Sequence, residues 1–398
     1  MRLLGIPVLL ALSLSFAQTT VTFWHSMEAV DDTVAALVDA FNSAQSDYRV
    51  EARYVGSYSE AQTRLVAAFG SADEPTLFQA EIAFFPRLVA DGAVQDLSDL
   101  VAALPQDVTE DFYPGLWAYG ELEGGRYGLP WNSSTPVMYY NANALEQAGV
   151  AVPTTWEAFA EAAAALTSRR AQGVVFVGDS WLFEMMVRSL GGELVLADGT
   201  PNFTSDEAVE ALTLLQQLVQ QRQLAFFGSG ESTPAILSFV RTRANMAFAS
   251  IANWPDVRRF SIGFDIAAAP VPMREGGRVP LGGAQLVVMR GASEAERAGA
   301  FAFWRFLMEP ENVAKWIEAS YYIPVRRAAL PLLEDFYAAD PNRAAALAQL
   351  ELAVPRPRNP EFNAWRALLD EALERALRGN QAPEAALAEA QRRALESR

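Results

Sequence analysis

The chain has 398 residues, no cysteine, a single histidine and a formal net charge of −17. Its 51% apolar and 20% charged residues are the composition of a globular protein, and the length suffices for two domains with a large core. The acidic balance argues against nucleic acid, because counterion release needs a basic footprint. Without cysteine there can be no disulfide, no lipid-anchored thiol and no thiol catalysis.

Met1-Arg2 precedes the apolar run from Leu3 to Phe16, with Ser15 and Ala17 at small-residue positions. This predicts a secretory signal peptide over 1–17, too short for the ~20 apolar residues that span a bilayer. Loss of Arg2 with it takes the charge to about −18. The expected product is exported and soluble.

Thr19 to Phe23 predicts an opening strand, followed by a helix burying Val34, Leu37, Val38 and Phe41. Tyr48 to Tyr54 predicts a second strand, Ser57-Tyr58-Ser59-Glu60 a helix start, and Thr76 to Ala80 a third strand ending at Glu81. Strands alternating with helices imply an α/β domain with a largely parallel sheet. Ligands of such sheets sit at the carboxyl ends of the strands, which here carry His25, Ser26, Glu28, Gly56, Tyr58 and Glu81.

Gly128-Leu129-Pro130 predicts a turn, Asn132-Ser133-Ser134-Thr135 a polar loop, and Val137 to Tyr140 a strand. A helix runs from Asn141 towards Gly149, and the box Thr154-x-x-Glu157 starts another. The alternation returns with strands at 173–177 and 245–250 and a helix around 209–223. Gly282-Gly283-Ala284-Gln285 leads into a strand at 286–289; its glycines permit close backbone approach or mark a bulge. Near the end, Phe362, Trp365, Leu368, Leu369 and Leu373 form a core-facing helical stripe, and the tail after Gln381 reads as an exposed helix.

The stretch from Tyr127 to Phe159, with its Gly-x-Pro turn, polar patch, Tyr-Asn strand end, Gly149 and Thr-Trp-Glu helix start, resembles the extracellular solute-binding proteins of ABC importers. Phe23 to Glu28, Gly56-x-Tyr58, Asn132 to Val137, Gly282-Gly283-Ala284 and Tyr322-x-Pro324 narrow it. They look like the periplasmic binding proteins for glycerol 3-phosphate and its diesters, over essentially the whole mature chain. The resemblance implies a two-lobed α/β binding protein of type II, with a ligand cleft and crossings near 131–136, 280–285 and 320–324. Lobe 1 is expected to hold 18–131 and 284–320, and lobe 2 to hold 132–283 and 321–398. The ligand positions it implies are Tyr58, Glu81, Ser133, Ser134, Trp181, Ser250, Gly283, Tyr322 and Arg358. Where the family has a second Trp this chain has Gly178, which is expected to leave extra room.

The residue chemistry suits that set. A carboxylate and phenols bond glycerol hydroxyls, serines and a backbone N–H cradle a phosphate, and a guanidinium meets two of its oxygens. Arg358 is expected to carry the phosphate and Arg356 to be silent; Trp24, Trp131, Trp181 and Trp254 are candidates to stack on a cationic head group. Each residue also has a structural reading: an exposed arginine, turn serines, a capping Glu81, core tryptophans. The expected ligand is a glycerophosphodiester, with glycerol 3-phosphate as a secondary ligand and a sugar or oligosaccharide as the alternative. A secreted hydrolase fits less well, since no metal-spaced set and no Gly-x-Ser-x-Gly elbow occurs. No cofactor or metal is expected, and the expected partners are permease transmembrane subunits, with the chain itself monomeric.

Overall fold

The protein, seen in a computed structural model, is described over residues 18–397; the expected signal peptide lies outside the described residues. The first sheet is built from β1 (Thr19–His25), β2 (Tyr48–Tyr54) and β3 (Leu77–Glu81), with helices α1 (Asp31–Ala44) and α2 (Tyr58–Ala68) between them. β1 pairs parallel with both β2 and β3. Helix α1 buries Val34, Leu37, Val38 and Phe41 as its spacing predicts, each contributing roughly 1.5–3 kcal/mol. Ser57 and Glu60 form a capping box that starts α2 at Tyr58.

Two further strands, far apart in sequence, complete this sheet. β4 (Leu129–Ser134) contains the polar patch, which is not a loop but a strand buried along its whole length. β5 (Pro136–Asn141) follows after Thr135 and belongs to the second sheet. Helices α3 (Ala142–Ala148), closed by Gly149 at φ +65°, and α4 (Trp156–Ala165) come next. The cap of α4 is Thr155, which accepts from the Ala158 N–H at 3.2 Å, one residue beyond the Thr154 box expected. β6 (Gln172–Gly178), α5 (Ser180–Ser189), α6 (Asp206–Gln220), β7 (Leu224–Gly228), α7 (Ser232–Val240), β8 (Ala244–Ser250) and β9 (Ile266–Ala269) complete the second lobe's first pass. Its sheet runs β9-β5-β8-β6-β7.

The chain returns through β10 (Val279–Pro280) into β11 (Gly282–Val288), which pairs antiparallel with β3 and β4. The first sheet is therefore β2-β1-β3-β11-β4, parallel on one side and antiparallel where the returning strand enters. The lobe boundaries expected at 131/132 and 283/284 fall inside β4 and β11; the sheet changes at Thr135 and Leu281. Segment 320–324 does not leave lobe 1 at once. The Ile323 N–H donates to the Ser133 carbonyl at 2.9 Å and Arg326 pairs with Asp111 at 2.7 Å. The passage to lobe 2 comes later, where Asp340 accepts from the Trp254 indole and Asn342 from the Ala268 N–H.

After β12 (Ala353–Val354), which pairs with β10, two helices close the chain on lobe 2: α8 (Phe362–Leu377) and α9 (Pro383–Glu396). Phe362, Trp365, Leu369 and Leu373 are buried and Leu368 is half-buried. The tail helix is not simply exposed, since Ala386, Leu387, Ala390 and Ala394 pack inward.

Candidate functional site

The carboxyl ends of the strands in both sheets converge on one cavity of about 630 Å³. Glu81 ends β3 and Ser134 ends β4; Asp179, Ser229 and Ser250 stand at the ends of β6, β7 and β8. This is where a twisted α/β sheet leaves room for a ligand. Tyr58, Glu81, Ser134, Trp181, Ser250, Gly283 and Tyr322 all line it, as the resemblance implies. Of the other strand-end residues singled out, His25 is buried in lobe 1 against Met27 N and Asp31.

A chain of hydrogen bonds fixes the lobe 1 wall. Gln79 accepts from the Ser26 N–H at 2.7 Å and donates to Asn132 Oδ1 at 2.8 Å; Asn132 then donates to the Tyr58 hydroxyl at 2.8 Å. Burial pushes the Tyr58 and Tyr322 phenols up, so both remain neutral hydroxyls able to donate and accept. Asn132 thus positions Tyr58, a role its strand placement hides from the sequence.

Gly283 has φ +100°, and a Cβ there would stand 2.0 Å from the Asn132 carbonyl oxygen. The register shifts between Gly283 and Gln285. Glycine is required by a bulge and by close approach of β4, and the bulge carries the backbone to the cavity wall.

Two expected residues are elsewhere. Ser133 points its hydroxyl into the protein, where it is buried without a partner. Arg358 is exposed, donates to the Glu121 carbonyl at 3.2 Å and lies outside the cavity. Arg356 stands in the cavity instead, 2% exposed. The run Pro355-Arg356-Pro357-Arg358 is irregular chain ahead of the last two helices, in which Arg356 meets Glu184 and Glu81 while Arg358 meets the Glu121 carbonyl. A spacing of two, which in a strand puts both on one face, does not separate them.

Arg356 Nε donates to Glu184 Oε2 at 2.8 Å, its Nη1 lies 3.6 Å from Glu81 Oε1, and its Nη2 is buried with no partner. Burial works against its charge, and Glu184 and Glu81 more than offset that, holding its pKa above the ordinary value. Arg366, from α8, donates to Glu81 at 3.1 Å and to the Ser180 hydroxyl at 3.2 Å. Glu81 therefore faces two guanidinium groups from the other lobe.

Asp179 and Asp370 also line the cavity. Asp179 caps α5, accepting from the N–H groups of Trp181 and Leu182, and burial pushes its pKa up. Asp370, from α8, is pushed up to about 6, by burial first and by Asp179 second.

Of the tryptophans proposed for stacking, only Trp181 lines the cavity. Trp24 and Trp254 are core residues, and Trp131 stacks on Trp316 at 4.7 Å. Gly178 opens no extra room at its own position: a Cβ there would meet the Phe226 ring at 2.4 Å. Behind Trp181 lies a second, mostly apolar cavity of about 260 Å³ that shares Asp179, Trp181 and Ser250 with the first.

Two sheets linked by crossing strands, with a polar, charged cleft between them, define a binding protein that holds a small solute between lobes. Comparison gives the same class. Residues 36–345 match the family of bacterial extracellular solute-binding proteins, and the chain belongs to it. Members of this family serve ABC importers by binding small ligands and delivering them to permeases. The chain is 29% identical to the sn-glycerol-3-phosphate-binding periplasmic protein UgpB of Shigella dysenteriae, over 93% of this chain and 90% of that one. Among solved structures, UgpB of Mycobacterium tuberculosis in complex with glycerophosphocholine superposes with a TM-score of 0.85 at 22% identity, covering 95% and 98% of the two chains. The GacH receptor of Streptomyces glaucescens, solved unliganded and with acarbose, gives 0.82 at 25% identity, covering 96% and 99%.

Among the described residues no helix is long and apolar enough to cross a membrane, and no cluster of metal-ligating side chains occurs.

Proposed function

We propose that this protein binds glycerophosphodiesters, such as glycerophosphocholine and glycerophosphoethanolamine, in the cleft between its lobes. It works outside the cytoplasm, as a monomer, and hands them to the transmembrane subunits of an ABC permease. The observation that carries the reading is Arg356 Nη2, a buried, cationic donor with no protein partner at the wall of a cavity lined by the Ser134 and Ser250 residues and Gly283. A buried donor left unsatisfied costs about 1–3 kcal/mol, which an anionic oxygen arriving with the ligand recovers. Tyr58, Glu81 and Tyr322 are suited to the glycerol hydroxyls. Glu81 accepts them while keeping its guanidinium neighbours, or exchanges one of those pairs for them.

The charge of the cleft favours a diester over a monoester. Glu81, Asp179, Asp370 and Glu184 supply four carboxylates against the two guanidinium groups of Arg356 and Arg366. A singly charged diester meets less repulsion there than a monoester close to two charges. The same carboxylates support a second reading, an oligosaccharide ligand, because sugar hydroxyls donate well to Glu81, Asp179 and Asp370.

Calorimetry with glycerophosphocholine, glycerol 3-phosphate and a malto-oligosaccharide separates the readings. The diester is expected to bind at least about tenfold more tightly than either competitor. Tighter binding of the oligosaccharide overturns the phosphodiester reading, and equal or tighter binding of glycerol 3-phosphate overturns the diester preference.

A further inference from the structure

The lobe 2 wall of the cleft holds more negative charge than a phosphate site needs. Arg356 is matched by Glu184, and Arg366 by Glu81. Asp179 and Asp370 are left over: Asp179 raises the cost of ionising Asp370, and the cleft arginines, whose charge both carboxylates feel, have their ion pairs with Glu184 and Glu81. Asp370 Oδ1 is buried without a hydrogen-bond partner, in the same cavity as the unpartnered Arg356 Nη2. The cavity therefore carries one orphaned donor that calls for an anion and one orphaned carboxylate oxygen that calls for a donor or cation. A single ligand answers both if it carries a negative and a positive group.

The second cavity supplies the shape of the positive group. It opens at Asp179 and Trp181 and is walled by Val175, Val177, Phe239 and Phe248, with no basic side chain. About 150 Å³ of apolar space suffices for a benzene-sized guest, and this one has about 260 Å³. A carboxylate and an indole at the mouth of an apolar recess suit a cation with a methyl surface better than a strongly hydrated one.

We propose that Asp179 and Asp370, with Trp181, form a seat for an organic ammonium group, so that the cleft selects zwitterionic ligands over anionic ones. The proposal rests on the phosphodiester reading and adds the part of the ligand beyond the phosphate. Charge decides first: Asp370 holds the ammonium, and the same carboxylate repels a ligand that brings only negative charge.

The test compares glycerophosphocholine with glycerophosphoglycerol, a diester of similar size lacking the ammonium, by calorimetry on the full mature chain. The wild type is expected to prefer the choline diester by about tenfold or more, since a desolvated charge pair is lost with the other ligand. Asp370→Asn is expected to weaken the choline diester by about tenfold and to strengthen the glycerol diester. Opposite signs for two ligands cannot come from a general loss of fold. Asp179→Asn, which keeps a good helix cap, is expected to repeat the pattern. Equal affinities in the wild type, or both ligands weakened alike by Asp370→Asn and Asp179→Asn, overturn the ammonium seat while leaving the phosphate site standing. If neither diester binds the wild type, the phosphodiester reading falls and the seat falls with it.

Discussion

The two walls of the cleft are built on different principles. Apart from Glu81 the lobe 1 wall is neutral, and a line of hydrogen bonds fixes it: the Ser26 N–H, Gln79, Asn132 and Tyr58 are joined in turn. The lobe 2 wall is charged and incompletely matched. There Arg356 Nη2, Glu184 Oε1 and Asp370 Oδ1 are all buried without hydrogen-bond partners. A satisfied network is rigid, and an unsatisfied one at low dielectric is costly until something fills it. The first wall presents a fixed template for hydroxyl groups; the second holds the affinity in reserve for charge.

The contrast is broken most sharply at Arg356. Arg356→Ala leaves Glu184, fully buried, without its hydrogen-bonded cation and with only the more distant Arg188, and is expected to cost about 3–5 kcal/mol of stability together with more than about a hundredfold in affinity. Thermal unfolding and calorimetry read the two losses separately. On the other wall, Gly283→Ala puts a Cβ into the Asn132 carbonyl and is expected to lower stability by more than about 2 kcal/mol. Asn132→Ala leaves the Tyr58 hydroxyl and Gln79 short of a partner, for about 1–3 kcal/mol in denaturant unfolding and roughly tenfold in diester affinity.

A smaller effect lies in pH. Asp370, pushed up to about 6, faces Asp179 from the β6 end, Arg366 on its own helix and Ser229 after β7. Its folded pKa stands above its unfolded one, so the folded state holds the proton more tightly and this group's stability is lost as pH rises from about 4 through 6. Asp370→Asn is therefore expected to raise the melting temperature at pH 7, by on the order of 1 kcal/mol in stability, and to leave it nearly unchanged at pH 4. A gain of equal size at both pH values contradicts the assignment.

Much of the lobe 1 wall was legible in the sequence because strand ends and helix caps leave local marks. Glu81 follows a run of apolar residues, and Tyr58 sits inside a capping box. The polar patch at 132–135 reads as a loop in the sequence because buried strands that carry a hydrogen-bond network do not alternate cleanly. On lobe 2, Arg356 and Arg358 are two residues apart in irregular chain beyond β12, and only partners distant in sequence separate them: Glu184 and Glu81 for Arg356, the Glu121 carbonyl for Arg358. Asp370 and Arg366 lie on a helix whose apolar stripe was plain, but the partners of its other face come from segments more than a hundred residues away. Tyr322-x-Pro324 carries a cleft-wall residue, and beyond it the chain stays with lobe 1 through Arg326 and Asp111, a long-range contact with no local mark in the sequence.

The assignment of the phosphate to Arg356 rather than Arg358 is the centre of this account, and one calorimetric comparison tests it most directly. Glycerophosphocholine is titrated into the wild type, into Arg358→Ala, and into the double variant Arg356→Met/Glu184→Met, which removes a buried pair as a unit and so avoids an orphaned charge. The account predicts that Arg358→Ala binds within about twofold of the wild type and that the folded double variant gives no measurable binding. Binding retained by the double variant and lost on Arg358→Ala contradicts it.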